Sequence, residues 1–418
     1  MTAATGGAGG MFRSLRLHNY RAWFFGAMVS FIGQWMQTTA MTWVVLTELT
    51  DEDATAMGIT LALQLGPSLV LVGVTGWAAD RFDRRRLIAA TQSSLLVGST
   101  AIGALCLAGV MTLPLMWALA LVIGVVNAFD MPARQSFVSD MAGEHTANAV
   151  ALNSMLFSLA RLVGPAAAGL LLGHVDSGWV FLVNAATYVA MLIGLAVMRP
   201  EELAPRDRSK PVGRLADGIR HVLRRPDFLV LFGIVALISA FALNFQIYVS
   251  TMALGFGRGP DGLGILMGAF AIGALAGTLL VARRGRARLR LVVAGAGGFG
   301  VVSLASAAMP SFWWYAASLV LVGFTLMGVL PTANAYVQTT AEPALRGRVL
   351  ALYSAVLMGT TPLGAPLIGW IDDHWGSRVA IVVASVAGLV AAAIGVVWML
   401  ASRRRAERLP ALGGDSLA

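Results

Sequence analysis

Residues 76–86 read GWAADRFDRRR, and six of the seven positions from Asp80 to Arg86 are charged. On both sides of this stretch the chain is almost wholly apolar for twenty or more residues. Over all 418 residues, 57% are hydrophobic and 12% are charged, with a mean hydropathy of +0.76. A soluble domain does not tolerate such a composition. The sequence therefore indicates an integral membrane protein, and the charged stretch indicates a short loop at the membrane surface.

Apolar runs recur along the whole chain. A membrane-spanning helix needs about 20 mainly apolar residues. The runs predict an all-α fold with twelve spans, at residues 22–47, 55–79, 87–110, 114–138, 148–173, 178–198, 227–254, 261–282, 288–309, 311–339, 348–371 and 377–400. The 47 glycines suit helices that must approach one another closely in lipid.

The positions of Lys and Arg predict the orientation in the membrane. If the N-terminus lies inside, 27 of the 30 basic residues fall on that side, only Arg258 and Arg378 fall on the other, and Arg161 lies within a span. The positive-inside rule then predicts a multi-pass protein of the cell membrane with both termini in the cytoplasm. The basic residues are spread over several loops without interleaved aromatic residues, so we expect no nucleic-acid partner despite the net charge of +9.

A long basic loop divides the chain into two blocks of six spans. The predicted units are a cytoplasmic tail (1–21), a first bundle (22–198), a linker (199–226), a second bundle (227–400) and a second cytoplasmic tail (401–418). An amphipathic helix is expected within the linker, at Leu215 to Leu223. Several residues recur at an offset of 200, among them Gly164 and Gly169 as Gly364 and Gly369. Two repeated halves around a central site are typical of secondary transporters.

The charged loop resembles a loop of a known transporter superfamily. It is similar to the loop between spans 2 and 3 of the major facilitator superfamily, and the matching positions are Gly76, Asp80, Arg81, Arg85 and Arg86. Asp83 departs from that pattern, because the superfamily usually has glycine there. Residues 129–141 (FDMPARQSFVSDM), 148–172 and 346–370 resemble the branch that includes siderophore exporters and macrolide-type efflux pumps. The resemblance covers nearly the whole chain.

The resemblance implies a role for the loop. In the superfamily the loop is thought to latch the cytoplasmic side, so Asp80 would meet the start of span 11 near residues 346–349. A carboxylate is favoured beside the positive N-terminal end of a helix. Asp130 and Arg134, at the cytoplasmic end of span 4, are candidates to complete this charge network. The alternative is that the arginines only orient the hairpin in the membrane.

Arg161 is the one basic residue expected in the middle of a span. It lies about 11 residues into span 5, hence roughly 17 Å deep, where ionisable groups usually face a cavity and mark a pathway. The alternative is a fixed pair with a neighbouring polar group or carbonyl. Gly164, Pro165 and Gly169 follow, and they resemble a relaxed form of the span 5 motif of antiporters, or else form a simple packing kink.

Neutral amides within the spans are further candidates for the wall of a cavity. We expect about half of them to line it, and the others to hold helices together. Together with Arg161 the candidates are Gln34, Gln37, Asn127, Asn244, Gln246, Asn334 and Gln338. No Asp or Glu falls in the middle of a span, so Asp130 and Asp80 are the best candidates to take up a coupling proton.

These features predict a secondary active transporter, acting as a monomer in the lipid bilayer, that exports a hydrophobic small molecule, drug or siderophore-like metabolite against proton entry. The alternatives are nutrient or metabolite uptake by the same fold, and a non-transporting membrane sensor or assembly factor. No metal, cofactor or enzymatic activity is expected. The GAGGFG run at residues 295–300 lacks the acidic residue that dinucleotide binding requires, and the five histidines lack metal-ligand spacing.

Overall fold

The computed structural model describes residues 12–203, 215–283, 288–342 and 345–408. Within these ranges the chain is helical almost throughout and contains no β-strand. The fold class predicted from the sequence is therefore confirmed.

The first half of the chain forms seven α-helices. They are α1 (His18–Val44), α2 (Ala54–Val70), α3 (Val72–Arg81), α4 (Arg84–Leu107), α5 (Leu113–Ala142), α6 (Thr146–Leu172) and α7 (Ser177–Ala196). A π-helical turn (Val45–Leu49) extends α1. Asp83 caps the N-terminus of α4 by accepting a 2.8 Å hydrogen bond from the backbone N–H of Arg86, which explains why a tight loop here works without the expected glycine.

The second half begins with the linker helix. Its helices are α8 (Leu215–Arg224), α9 (Pro226–Leu237), α10 (Phe245–Gly255), α11 (Pro260–Arg283), α12 (Leu289–Ala307), α13 (Phe312–Thr340), α14 (Arg346–Trp375) and α15 (Ser377–Arg408). The helix expected in the linker is present as α8, which lies against the first turn of α14. Residues 1–11 and 409–418 of the predicted tails, and residues 204–214 of the linker, lie outside the described ranges.

Length and composition mark nine helical stretches of the described chain as candidate membrane spans, or ten if the bent pair α2 and α3 counts as one. One stretch, Leu113–Leu172, is 60 residues long and includes α5 and α6. At about 1.5 Å per residue it is roughly three times as long as the hydrocarbon core is thick, so it must cross the membrane twice. The total of twelve spans remains a prediction.

Two spans that the sequence predicts as single helices are broken. Span 2 bends by 62° between α2 and α3. Pro67 cannot donate a backbone hydrogen bond, and Gly66 and Gly73 lower helix stability on either side of the break. Span 7 is interrupted between α9 and α10 by a π-helical turn, Ile238–Ala242. Asn244 follows that turn, and its side-chain amide donates to the carbonyls of Ala240 (2.6 Å) and Thr361 (3.1 Å).

The two halves pack mostly within themselves, and corresponding glycines make corresponding contacts. Gly164 on α6 lies against α1, where an added Cβ would be 2.9 Å from the carbonyl oxygen of Ile32. Gly364 on α14 lies against the broken span 7, where a Cβ would be 2.5 Å from the carbonyl carbon of Ala240. These two glycines are 200 residues apart in sequence, so the repeat also appears in the packing.

A matched pair of substitutions on α11 tests how far glycine packing holds the second half together. A Cβ on Gly273 would lie 2.6 Å from the carbonyl carbon of Val320 on α13, whereas a Cβ on Gly268 would meet nothing within 4 Å. Gly273→Ala should therefore destabilise the protein by about 1–3 kcal/mol through overpacking, and Gly268→Ala should not. Thermal unfolding in detergent would measure both. Equal melting temperatures would contradict this account of the packing.

Candidate functional site

The halves meet tightly at one end of the bundle. We call the end that carries residues 81–86 the basic end, and the end that carries residues 50–53 and the turn at Gly376 the opposite end. Two helix pairs cross between the halves near the opposite end, α2 with α14 and α6 with α11. An added Cβ on Gly58 of α2 would lie 2.8 Å from the carbonyl carbon of Ala365, and one on Gly264 of α11 would lie 2.9 Å from the backbone nitrogen of Leu170. The backbones touch at both crossings, so this end is closed.

A hydrogen-bonded cap strengthens one of these crossings. Asp373, near the C-terminal end of α14, accepts hydrogen bonds from the backbone N–H groups of Ala54 (2.7 Å) and Thr55 (2.8 Å), and from the Thr55 hydroxyl. Ala54 and Thr55 form the first turn of α2, so a side chain of the second half caps a helix of the first. Asp53 caps the same helix from within its own half, by accepting from the N–H of Ala56 (2.7 Å).

Toward the basic end the halves diverge around a cavity of about 730 Å³, within the range of roughly 300–1,000 Å³ typical of small-molecule sites. The first half contributes residues of α1, α5 and α6, and the second half contributes residues of α11, α13 and α14. Ser154, Ser158 and Gln338 line the cavity and are solvent-exposed. Water therefore reaches the cavity from the basic end.

Arg161 faces this cavity from α6, as one of the two sequence interpretations predicts. Its guanidinium lies over the ring of Trp35, 5.3 Å from the ring centroid. The alternative was a fixed pair with a polar neighbour or a carbonyl, and no such hydrogen bond or ion pair is present among the described residues. Asn334 and Gln338 lie on the facing wall, one helical turn apart on α13, and are hydrogen-bonded to each other at 2.5 Å.

The remaining amide candidates hold helices together and do not line this cavity. Gln34 and Asn127 pair across α1 and α5 at 2.6 Å, and Gln246 donates to Thr42 across the two halves at 2.8 Å. Gln37 lies in a buried cluster, where its side-chain oxygen accepts from Ser99 (2.6 Å) and from Asn184. Asn244, at the break in span 7, is fully buried and bonded to carbonyls. Each amide therefore makes a hydrogen bond to a protein group away from the cavity.

Asp130 and Arg134 form a buried ion pair within α5. Arg134 Nε lies 2.7 Å from an Asp130 carboxylate oxygen, and the two side chains are 1% and 0% exposed. Thr91 (2.6 Å) and Gln92 (3.0 Å) of α4 donate to Asp130, while Arg134 donates to Ser30 of α1 (2.8 Å). The pair therefore joins α1, α4 and α5 beneath the cavity wall. Arg134 also reaches the cavity lining.

Among the described residues, no arginine of the charged loop contacts Asp130 or Arg134 directly, so the expected charge network remains a prediction. Arg84 binds Asp140 of α5 at 2.7 Å, and Arg85 donates to the carbonyl of Leu195 near the end of α7 at 2.8 Å. Arg81 lies over the ring of Trp77. These contacts fix the loop to its own half. The side chain of Asp80 lies outside the described part of the structure, so its predicted contact with residues 346–349 remains a prediction.

The span 5 motif serves as a packing surface. Gly164 contacts α1, and Gly169 contacts the backbone of Gly264 at the closed end. Pro165 is buried, and α6 continues through it from Thr146 to Leu172 without a break. Gly76 of the loop motif has open space where a Cβ would lie.

Sequence reasoning missed several polar residues of the cavity and the whole opposite-end cap. Asn153, Ser154 and Ser158 precede Arg161 on α6, and Gln135 lies beside Arg134 on α5. Ser154, Ser158 and Arg161 are spaced by four and three residues, so helical periodicity counted backwards from Arg161 would have found them. Asp373 carried no such signal, because a lone acidic residue near a turn resembles any solvated loop residue.

The sequence also matches a known protein family. The family described as transmembrane secretion effector matches residues 9–412, which is nearly the entire chain. The chain belongs to this family. The match confirms the superfamily and the efflux branch that the sequence motifs resembled.

Three transporters illustrate the similarity within this family of secretion effectors. The staphyloferrin A transporter of Staphylococcus aureus is 27% identical, with 84% of this chain and 89% of that protein covered. The multidrug efflux pump Tap of Mycolicibacterium fortuitum is 27% identical, with 91% and 95% covered. The enterobactin exporter EntS of Escherichia coli is 25% identical, with 94% of each covered.

Solved structures share the fold of this chain. A bacterial homologue of the human lysosomal transporter Spinster, in an inward-facing and unoccupied conformation, matches with a TM-score of 0.69 and 16% identity over 93% of this chain and 97% of that one. A D-xylose-proton symporter matches with a TM-score of 0.70 and 14% identity over 92% and 97%. Both support the arrangement of helices in two facing bundles.

The opposite-end cap can be tested by comparing Asp373→Ala with Asp53→Ala. Both changes remove hydrogen bonds of about 0.5–2 kcal/mol from the same helix terminus, but only Asp373→Ala weakens the contact between the halves. With Cys106→Ser as the background and Ser158→Cys as a reporter in the cavity, Asp373→Ala should increase labelling by an impermeant maleimide applied from the opposite side. Asp53→Ala should leave that labelling rate near the background value. Equal labelling of both variants would contradict a gating role for Asp373.

The stability of the protein should depend on the presence of both charges of the buried ion pair, or of neither. Arg134→Met leaves the Asp130 carboxylate buried without its cation, which should cost about 3–5 kcal/mol of stability. The double variant Asp130→Asn with Arg134→Met removes both charges and should recover much of that loss. Melting temperatures of the purified variants in detergent check this, and a double variant less stable than Arg134→Met would contradict it.

Proposed function

We propose that the protein exports a hydrophobic small molecule, a drug or a siderophore-like metabolite, by alternating access. The observation that carries this proposal is the pair of facing halves, which are closed at one end around a cavity that water reaches from the other. A solute could enter such a cavity from only one side at a time. The relatives whose names denote drug efflux and enterobactin export favour export over uptake.

The charge asymmetry supports an orientation with the basic end and both termini in the cytoplasm of a cell-membrane protein. In that orientation the conformation is inward-facing, ready to receive a cytoplasmic solute. The bundles at 22–198 and 227–400 would then rock against each other, with the 199–226 linker joining them. Asp80 would contact residues 346–349 when the basic end is closed. We expect a monomer, since each chain contains a whole cavity between its own halves.

Protons are the proposed driving ion, and transport involves no chemical step. Asp130 is the best-placed carrier, because it is buried next to the cavity wall and its ion-pair partner Arg134 reaches the lining. Protonation of Asp130 would remove one charge of the pair and release Arg134. A change of charge beneath the wall where the halves separate could couple proton entry to movement of α5 against α1 and α4.

Accumulation of lipophilic fluorescent dyes in efflux-deficient bacteria tests this function. Cationic, neutral and anionic dyes are compared with and without a protonophore, in cells with the wild-type chain or an empty vector. We expect lower accumulation of at least one dye, reversed by the protonophore. Higher accumulation would indicate uptake, and unchanged accumulation across the panel would favour a sensor or assembly factor.

Asp80→Asn should slow export without preventing insertion, because it weakens the proposed closure of the basic end. The expected result is an efflux rate several-fold below that of the wild type at equal protein level. Asp83→Asn is the matched control, since Asp83 caps α4 locally and has no expected partner in the second half. Wild-type efflux by Asp80→Asn would refute the latch.

A further inference from the structure

The wall of the cavity carries an unbalanced positive charge. Arg134 and Arg161 are its two basic residues, and none of the lining residues that the structure describes is Asp or Glu. Asp130 neutralises Arg134 through the ion pair at 2.7 Å. Among the described residues, Arg161 has no such partner. The net charge that a bound solute meets is therefore the single positive charge of Arg161.

The guanidinium of Arg161 is held in place but its donors are not used. It stacks over Trp35, which fixes a planar group and attracts its charge. Its five N–H donors have no hydrogen-bond acceptor among the described residues. Other arginines of the described chain do have acceptors at 2.6–2.8 Å, as seen for Arg84, Arg85, Arg225 and Arg378. The arginine that faces the cavity is thus poised to donate to something that enters it.

The residues around Arg161 indicate what chemistry the rest of a ligand should have. Phe31, Phe157, Met327, Leu357 and Met358 supply an apolar lining. Neutral hydrogen-bonding groups stand nearby, namely Ser158 one turn away on α6, and Asn334 and Gln338 on the facing wall. A planar guanidinium binds carboxylate and phosphate groups through paired hydrogen bonds. The site therefore suits one acidic group joined to an apolar body.

We propose that the cavity takes amphipathic organic anions, with the acidic group of the solute bound to Arg161 and its apolar body on the Met and Phe lining. This inference rests on the proposed function and names the class of its substrate. A lipophilic cation would meet Arg161 at short range in a poorly screened cavity, with no carboxylate in the described lining to offset the repulsion. The site should thus discriminate by charge between solutes of the same shape.

Fluorescence anisotropy with two xanthene dyes tests the charge preference. Fluorescein is an anion and rhodamine 123 a cation on the same ring system. With the full chain in phosphatidylcholine nanodiscs, fluorescein should bind at least about tenfold more tightly than rhodamine 123. Arg161→Gln should weaken fluorescein binding by about tenfold and leave rhodamine 123 binding unchanged or stronger. Arg258→Gln is the matched control, because Arg258 also stacks on an aromatic ring, Phe312 at 5.1 Å, but does not line the cavity.

A second measurement avoids any dependence on the folding of Arg161→Gln. Unlabelled 2-naphthoate and 2-naphthamide share one ring system and differ in charge, so only the carboxylate should displace fluorescein from the wild-type protein. Equal competition by the two, or tighter binding of rhodamine 123 than of fluorescein, would overturn the proposal.

Anion binding without export would refute only the proposed function. Export of the anionic dye by Arg161→Gln at the wild-type rate would refute only this inference.

Discussion

Backbone contact between the halves at the opposite end is the constraint on which the rest of the molecule depends. Lipid provides no hydrophobic force between helices, so association needs close packing. Gly58 and Gly264 supply it, because the facing backbones leave no room for a Cβ at either position. Each half is internally packed, so contact at this end leaves a gap at the other. The cavity is therefore a consequence of where the halves touch, and moving the contact would move the opening.

Charge inside the bundle is treated in two different ways. Asp130 and Arg134 neutralise each other away from water, with further hydrogen bonds from Thr91, Gln92 and Ser30. These hydrogen bonds offset part of the cost of burying the two charges, and the Arg134 guanidinium also lies over the ring of Phe31. Arg161 instead retains access to water and relies on the face of Trp35. The Asp130–Arg134 pair fixes helices relative to one another, whereas the stacking of Arg161 leaves a positive charge available to a bound solute.

Most of the fold followed from the sequence because apolar run length and the side of each basic residue are properties of the linear chain. The breaks in spans 2 and 7 did not, since one of the two carbonyls that Asn244 bonds at the break in span 7 belongs to Thr361, 117 residues away. Arg161 was found because a charge deep in lipid is costly unless it faces a cavity. Gln37 was misplaced because its partners Ser99 and Asn184 come from distant helices. The position of an amide in the sequence does not predict whether its side chain lines a cavity or bonds to a neighbouring helix.

The offset of 200 residues relates the two crossings at the closed end, but the crossings differ in strength. Gly169 and Gly369 are repeat partners, and each approaches the backbone of the other half. Asp373 follows Gly369 by four residues and reaches the first turn of α2. The repeat partner of Asp373 is Gly173, which has no side chain to donate or accept. Opening this end must break the hydrogen bonds of Asp373 at one crossing, whereas the described residues of α6 and α11 form no hydrogen bond at the other, so the protein has a hinge side and a clasp side despite its symmetric plan.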